Sequence, residues 1–217
     1  MKLYIVVGSP NCRKVLAVID HLGTPIDIEY LDFFAGDLMS PDYAAVNPNR
    51  MVPALRDDGF VLWESNVIMQ YLADTMPGNT LFPKEAKTRA DIVRWQCWEL
   101  AHYNKAFGAL SFETVAKPQF MKSEPDRAVV EWAKRELARF APVLDSHMRD
   151  REYAVGDGIT LADYSLIHQE SFKEAVPFDW SPYPNLNAYY ERMRAASHWA
   201  ATAPRSPEAI GRRPKSG

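Results

Sequence analysis

The chain has 217 residues, of which 47% are apolar and 24% charged, and its net charge is −3. At about 150 residues per domain this is one or two ordinary globular domains, and a weakly acidic chain has no general electrostatic attraction to nucleic acid or anionic lipid. Its two cysteines, Cys12 and Cys97, are too few for a disulfide framework or a four-cysteine zinc site, so they read as reduced thiols of a cytoplasmic protein with no metal.

The chain opens with an apolar run, Leu3 to Val7, ended by Gly8-Ser9-Pro10. The run is too short for a signal-peptide core, and no later apolar stretch approaches the roughly 20 residues of a membrane span. From Asn11 the period changes. Cys12, Val15, Leu16, Ile19 and Leu22 recur at helical spacing until Gly23, and Ile26, Ile28 and Tyr30 then alternate as a second strand. Residues 3–31 therefore form a βαβ unit, with a parallel strand pair and a right-handed crossover. A short helical piece at Pro41–Val46 and the turn Asn47-Pro48-Asn49 follow. Val52–Leu55 and Phe60–Trp63 are two short strands joined through Asp58-Gly59, a tight-turn pair, and Val67, Ile68, Tyr71 and Leu72 line a closing helix. The order β-α-β, α, β-β-α is that of a thioredoxin-like domain with a mixed four-stranded sheet, spanning 1–77.

Met76-Pro77-Gly78 begins a linker that reaches about residue 85. The rest, 86–217, reads as an all-α domain. One helix is expected over about 86–117 and a second over about 125–149. A third begins at Thr160, with Asp163 three residues on as its capping-box partner and Ile159 placed to staple onto Tyr164. The Gly-, Pro- and Arg/Lys-rich end, Ala209–Gly217, is expected to fray.

Three places carry chemistry. In Ser9-Pro10-Asn11-Cys12-Arg13 the residue pair at a helix N-terminus is Ser9 and Cys12. Free amide groups and the helix dipole favour an anion there, but a dithiol cycle needs two thiols, and only one is present. Cys12 reads as a small buried apolar residue, and Ser9 by itself as a helix cap. Val52-Pro53 stands before a strand. Glu64 and Ser65 stand where a strand passes into a helix, suited to capping it and to holding a cation and a carboxylate.

Taken together, Ser9-Pro10-Asn11-Cys12-Arg13, the segment Asn47 to Leu55, Trp63-Glu64-Ser65-Asn66-Val67-Ile68 and Gly158-Ile159-Thr160-Leu161-Ala162-Asp163 resemble the cytosolic glutathione S-transferases, in the serine-type delta and theta style, over essentially the full length. The resemblance implies that Ser9 activates glutathione. It implies that Pro53 is a cis-proline presenting the Val52 backbone to the cysteinyl unit. Ser65 and Glu64 would take the γ-glutamyl carboxylate and ammonium, with Asn66 beside them, and Arg50 and Met51 would lie near the glycyl end. It also implies a homodimer and an electrophile pocket, for which Trp98, His102, Phe107 and Trp199 are candidates, although aromatic residues at helical spacing are more often core. Three positions depart from the pattern. Leu38 replaces a histidine frequent in the delta class, and Asn66 replaces a frequent arginine. Ser9-Pro10-Asn11 also resembles the Thr-Pro-Asn of nu-class bacterial proteins, which implies that Asn11 shares the thiolate contact. The implied function is a detoxifying glutathione transferase acting on small apolar electrophiles. The alternatives are a glutathione-dependent peroxidase or disulfide-bond reductase, and a non-catalytic transferase-like scaffold.

Overall fold

The computed structural model describes residues 1–214. It divides into two compact units, Met1–Phe82 together with the segment from Ala196 onward, and Pro83–Ala195.

The first unit is built on a four-stranded mixed sheet. Its strands are β1 (Lys2–Ile5), β2 (Asp27–Tyr30), β3 (Ala54–Asp57) and β4 (Phe60–Trp63), in the spatial order β2-β1-β3-β4. β1 and β2 are parallel, as the βαβ pattern requires, and β3 runs antiparallel to both β1 and β4. The β3–β4 hairpin turns on Asp58 and Gly59, both with positive φ (42° and 88°), the conformation that matches the strand twist. The register sets Tyr4, Ala54 and Trp63 side by side across the sheet. The exit of β1, the entry to β3 and the exit of β4 consequently share one sheet edge. The helices are α1 (Pro10–Leu22), α2 (Pro41–Val46) and α3 (Ser65–Asp74), and Val15, Val18, Ile68 and Leu72 are sealed in the core with Leu3, Ile5 and Leu55.

The second unit is helical throughout its regular elements. α4 (Ala86–Trp98) and α5 (Asn104–Ser111) belong to one continuous helical run, but with two π-helical stretches, Glu99–Tyr103 and Phe112–Met121. The apolar period alone suggests a single uninterrupted helix over 86–117, because a π turn inserts a residue without breaking the run. At the first stretch Glu99 is fully buried, with His168 Nε2 3.5 Å from its carboxylate. α6 (Arg127–His147) is capped by the Asp126 carboxylate on Ala128 N and Val129 N. α7 (Leu161–Ile167) starts on the expected capping box. Thr160 Oγ1 accepts from Ala162 N, and Asp163 Oδ2 accepts from Thr160 N at 2.8 Å. Asp163 also accepts from Ala154 N (2.8 Å) and the Tyr189 hydroxyl (3.0 Å), the latter on α8 (Pro184–Ala195).

The end of the chain departs from expectation. Residues 196–214, which include α9 (Ser197–Ala200), belong to the sheet unit. Arg13 of α1 lies over the Trp199 ring at 4.1 Å and donates to the Trp199 carbonyl and Thr202 Oγ1. Residues 209–214 are not frayed: the Gly211 amide is bonded to Val7 O at 2.8 Å, and the Gly211 carbonyl to Phe33 N at 2.7 Å. Composition missed this because backbone groups of Gly-rich segments pair as well as any others. The remainder of the segment expected to fray, 215–217, lies outside the described residues.

Candidate active site

Three loops meet at the shared sheet edge. The first leads from β1 into α1. Ser9 caps α1 with extended backbone (φ −66°, ψ 122°), and its Oγ accepts from Cys12 N at 3.4 Å. Pro10 at the first helical position suits both the cap and the helix. Cys12 is 1% exposed, and burial pushes its thiol up to about 11. It therefore stays protonated at neutral pH and serves as core, as its position on the apolar stripe indicates.

The second loop leads into β3. The Val52–Pro53 bond is cis. Sheet pairing begins at Ala54, so Val52 stands just outside the ladder. The preceding peptide is held firmly: the Met51 carbonyl accepts from the Tyr43 hydroxyl (2.6 Å) and from Asn47 Nδ2 (2.8 Å). Tyr43 and Asn47 are both buried. Sequence reasoning passed over Tyr43 in this role, since its partner is a main-chain oxygen eight residues away. The Met51 side chain itself is exposed. Arg50 has φ 54° and donates through Nη1 to the Met39 carbonyl at 3.0 Å.

The third loop joins β4 to α3. Glu64 is exposed and takes φ 73°, ψ 106°, a region that non-glycine residues rarely adopt and that is held elsewhere chiefly at functional positions. Its carbonyl accepts the first bond of α3, from Ile68 N at 2.9 Å. Ser65 is the first residue of α3 and is largely buried, and its Oγ donates to Asn11 Oδ1 at 3.2 Å. Two helix N-termini are thereby joined side chain to side chain, and each carries positive partial charge. The arrangement is suited to an anionic, peptide-like ligand: donors at two helix starts, and an unpaired strand end between them.

Not every expected residue lies on this edge. Asn66 is 5% exposed, and its Oδ1 accepts from the fully buried Lys14 Nζ at 2.8 Å. Its amide oxygen is therefore committed inward, toward α1, beside Ser65. Sequence reasoning had not singled out Lys14. Trp199 is fully buried beneath Arg13 in the first unit. Phe107 is fully buried in the second unit against Tyr103 and Trp180. Neither ring presents a face to a ligand, so both leave the pocket list for the core. Trp98 is half-buried and stacks on Tyr103 at 5.5 Å, and His102 is exposed and stacks on Phe140 at 4.9 Å. Among the described residues, no three His, Cys, Asp or Glu side chains are grouped to hold a metal ion, and no helix is long and apolar enough to cross a membrane.

Comparison with known proteins agrees with this fold. Residues 8–75 match the family model of the glutathione S-transferase N-terminal domain, and residues 107–196 that of its C-terminal domain. The chain is 28% identical over 193 residues to glutathione S-transferase D7 of Anopheles gambiae, covering 88% of this chain and 85% of that one. It is 32% identical to a delta-class glutathione transferase of Nilaparvata lugens, with a TM-score of 0.77 over 98% of this chain and 94% of that one. It is 26% identical to the glutathione transferase URE2P6 of Phanerochaete chrysosporium, solved with oxidized glutathione, with a TM-score of 0.81 over 93% of each chain. With both domain models matched in order, and a relative above 30% identity covering nearly the whole chain, this protein belongs to the glutathione S-transferase family.

Proposed function

We propose that this glutathione transferase stabilises the glutathione thiolate at Ser9 and adds it to small apolar electrophiles. The observation that carries the reading is the convergence of Ser9, Val52 and Ser65 on one sheet edge, with Ser65 bonded to Asn11 across the two helix starts. Ser9 donates a hydrogen bond to the sulfur while remaining neutral. Val52 pairs with the cysteinyl backbone as one more strand, Ser65 and Glu64 take the γ-glutamyl end, and Arg50 takes the glycyl carboxylate. Asn11 commits its Oδ1 to Ser65, which leaves its Nδ2 as a second donor toward sulfur. Trp98 and His102 remain the candidates for the electrophile side.

The proposal includes a homodimer in the cytoplasm with a role in detoxification. Met51, Phe60, Trp63 and Val67, on the loop before β3, on β4 and on α3, are all large, apolar and exposed in the isolated chain, as a surface awaiting a partner would be. Sedimentation at twice the chain mass is the expected result.

A second reading, reduction of peroxides or disulfides, is favoured by the Asn11 amide beside Ser9 and by the oxidized glutathione in the Phanerochaete relative. Glutathione-dependent turnover of an aryl halide, an organic peroxide and a model disulfide, measured side by side, separates the two. The conjugating reading requires the aryl halide to be the best of the three, and turnover of none of them returns the chain to a scaffold role.

A further inference from the structure

The main chain between β1 and Ser9 makes a tight turn. Ser9 N donates to Val6 O at 3.2 Å, and Gly8 in the third position takes φ 83°, the conformation of a type II turn. The central peptide of that turn, Val7–Gly8, decides which way the chain enters Ser9. Such a peptide can flip toward the type I arrangement unless something holds its oxygen.

Here the end of the chain holds it. Gly211 N donates to the Val7 oxygen at 2.8 Å, while the Gly211 carbonyl accepts from Phe33 N at 2.7 Å in the loop after β2. One residue thus bridges the turn before Ser9 and the neighbouring loop. The position favours glycine: φ is 78°, and a Cβ would stand 2.7 Å from the exposed Phe34 ring, which would have to shift. Ile210 lies directly over Gly8, since a Cβ at Gly8 would meet its Cγ2 at 2.8 Å. Beyond it, Arg212 sits 4.7 Å above the Phe34 ring, Arg213 N donates to Asp32, and the Arg213 guanidinium pairs with Asp37 at 2.9 Å.

We propose that residues 207–213 form a strap that fixes the Val7–Gly8 peptide, and that Ile210 and Gly211 are positioning residues for Ser9. The proposal rests on the reading of Ser9 as the thiolate-stabilising group. The strap contributes no atom to the chemistry; it holds the turn from which the cap residue projects.

The test compares full-length wild type with Gly211→Val, which breaks the bridge, and Ile210→Ala, a milder change that leaves the backbone geometry free. Hydrogen exchange of the Ser9 and Cys12 amides, which donate to Val6 O and Ser9 Oγ, reads the turn without any ligand, and circular dichroism reports folding. The strap requires those amides to exchange about tenfold faster or more in Gly211→Val, with a smaller rise in Ile210→Ala. It also requires kcat to fall about fivefold with KM for glutathione nearly constant, and the acid limb of the pH–rate profile to move upward. Unchanged exchange in a folded variant overturns the strap. Faster exchange with an unmoved pH profile and kcat overturns the positioning of Ser9 and leaves a purely structural contact. Should Gly211→Val fail to fold, Ile210→Ala decides by the same two readouts. A wild-type protein whose bound glutathione shows no thiolate titration overturns the glutathione reading itself, and with it the positioning role; the exchange result remains separate evidence on the turn.

Discussion

Lys14 Nζ donates to Asn66 Oδ1 at 2.8 Å across the packed faces of α1 and α3, with the lysine side chain fully sealed from solvent. Together with the Ser65–Asn11 bond, it ties the two helix starts at two heights, one turn apart on α1. The spacing between Ser9 and Ser65 is therefore set by polar links as well as by apolar packing. A double-mutant cycle of Lys14→Met and Asn66→Ala should show a coupling of roughly 1 kcal/mol or more. Purely additive losses on denaturant melts would mean the bond ties nothing.

Ser9→Ala tests the thiolate directly. A free thiol has a pKa of about 8.5, so only a few per cent is ionised at pH 7. One hydrogen bond to a charged acceptor contributes about 1.5–3 kcal/mol, and a pKa unit is about 1.36 kcal/mol, so Ser9 and the start of α1 should lower the bound thiol by roughly 1–2 units. Thiolate ultraviolet absorbance followed against pH should show most of that shift lost in Ser9→Ala. Equal titrations in the two proteins would move the role to Asn11.

Glu64 combines an exposed carboxylate with a backbone conformation few residues accept. Glu64→Gln keeps the shape and removes the charge. Loss of a charge-assisted contact costs about 1.5–3 kcal/mol, which is roughly 10–150-fold in glutathione affinity. Calorimetric titration with unchanged affinity would remove Glu64 from the site.

Cys12→Ala should leave turnover near wild type. Its thiol is buried and pushed up to about 11, so it supplies no thiolate at neutral pH. The substitution should instead cost about 1 kcal/mol of stability through lost packing. A folded Cys12→Ala protein without activity would make the cysteine catalytic.

Acid should weaken the fold through two histidines. His21 is held below its ordinary value of 6.5 by burial and by His198, whose ring stacks on it at 4.3 Å, with Asp20 partly offsetting. His147 is lowered by burial, despite its Nε2 contact with the Ala154 carbonyl at 2.8 Å. A base whose folded pKa lies below its unfolded pKa binds protons first in the unfolded chain. Its stabilising contribution is therefore complete above about pH 6.5 and declines as pH falls from there toward the lowered folded values. Urea midpoints should drop between pH 7.5 and 5.5, with part of the drop removed in His21→Gln. A midpoint that is flat or rises on acidification would contradict both assignments.

What the sequence determined by itself was local. The βαβ unit, the Asp58-Gly59 hairpin, the Ser9 cap and the Thr160–Asp163 capping box were all legible, because each is decided by residues within a few positions of one another. The buried role of Cys12 was legible from its place on the apolar stripe. Tertiary structure alone decided the rest. The tie from Asn66 to Lys14 joins residues 52 positions apart in the chain, and nothing near either residue announces it. Phe107 and Trp199 have helical spacing that suits either a pocket or a core, and only packing makes them core. The tail's composition reads as disorder, yet Gly211 finds its partners at Val7 and Phe33, nearly the full chain length away. No window of sequence contains both halves of such a bond, because its partners are brought together only by the completed fold.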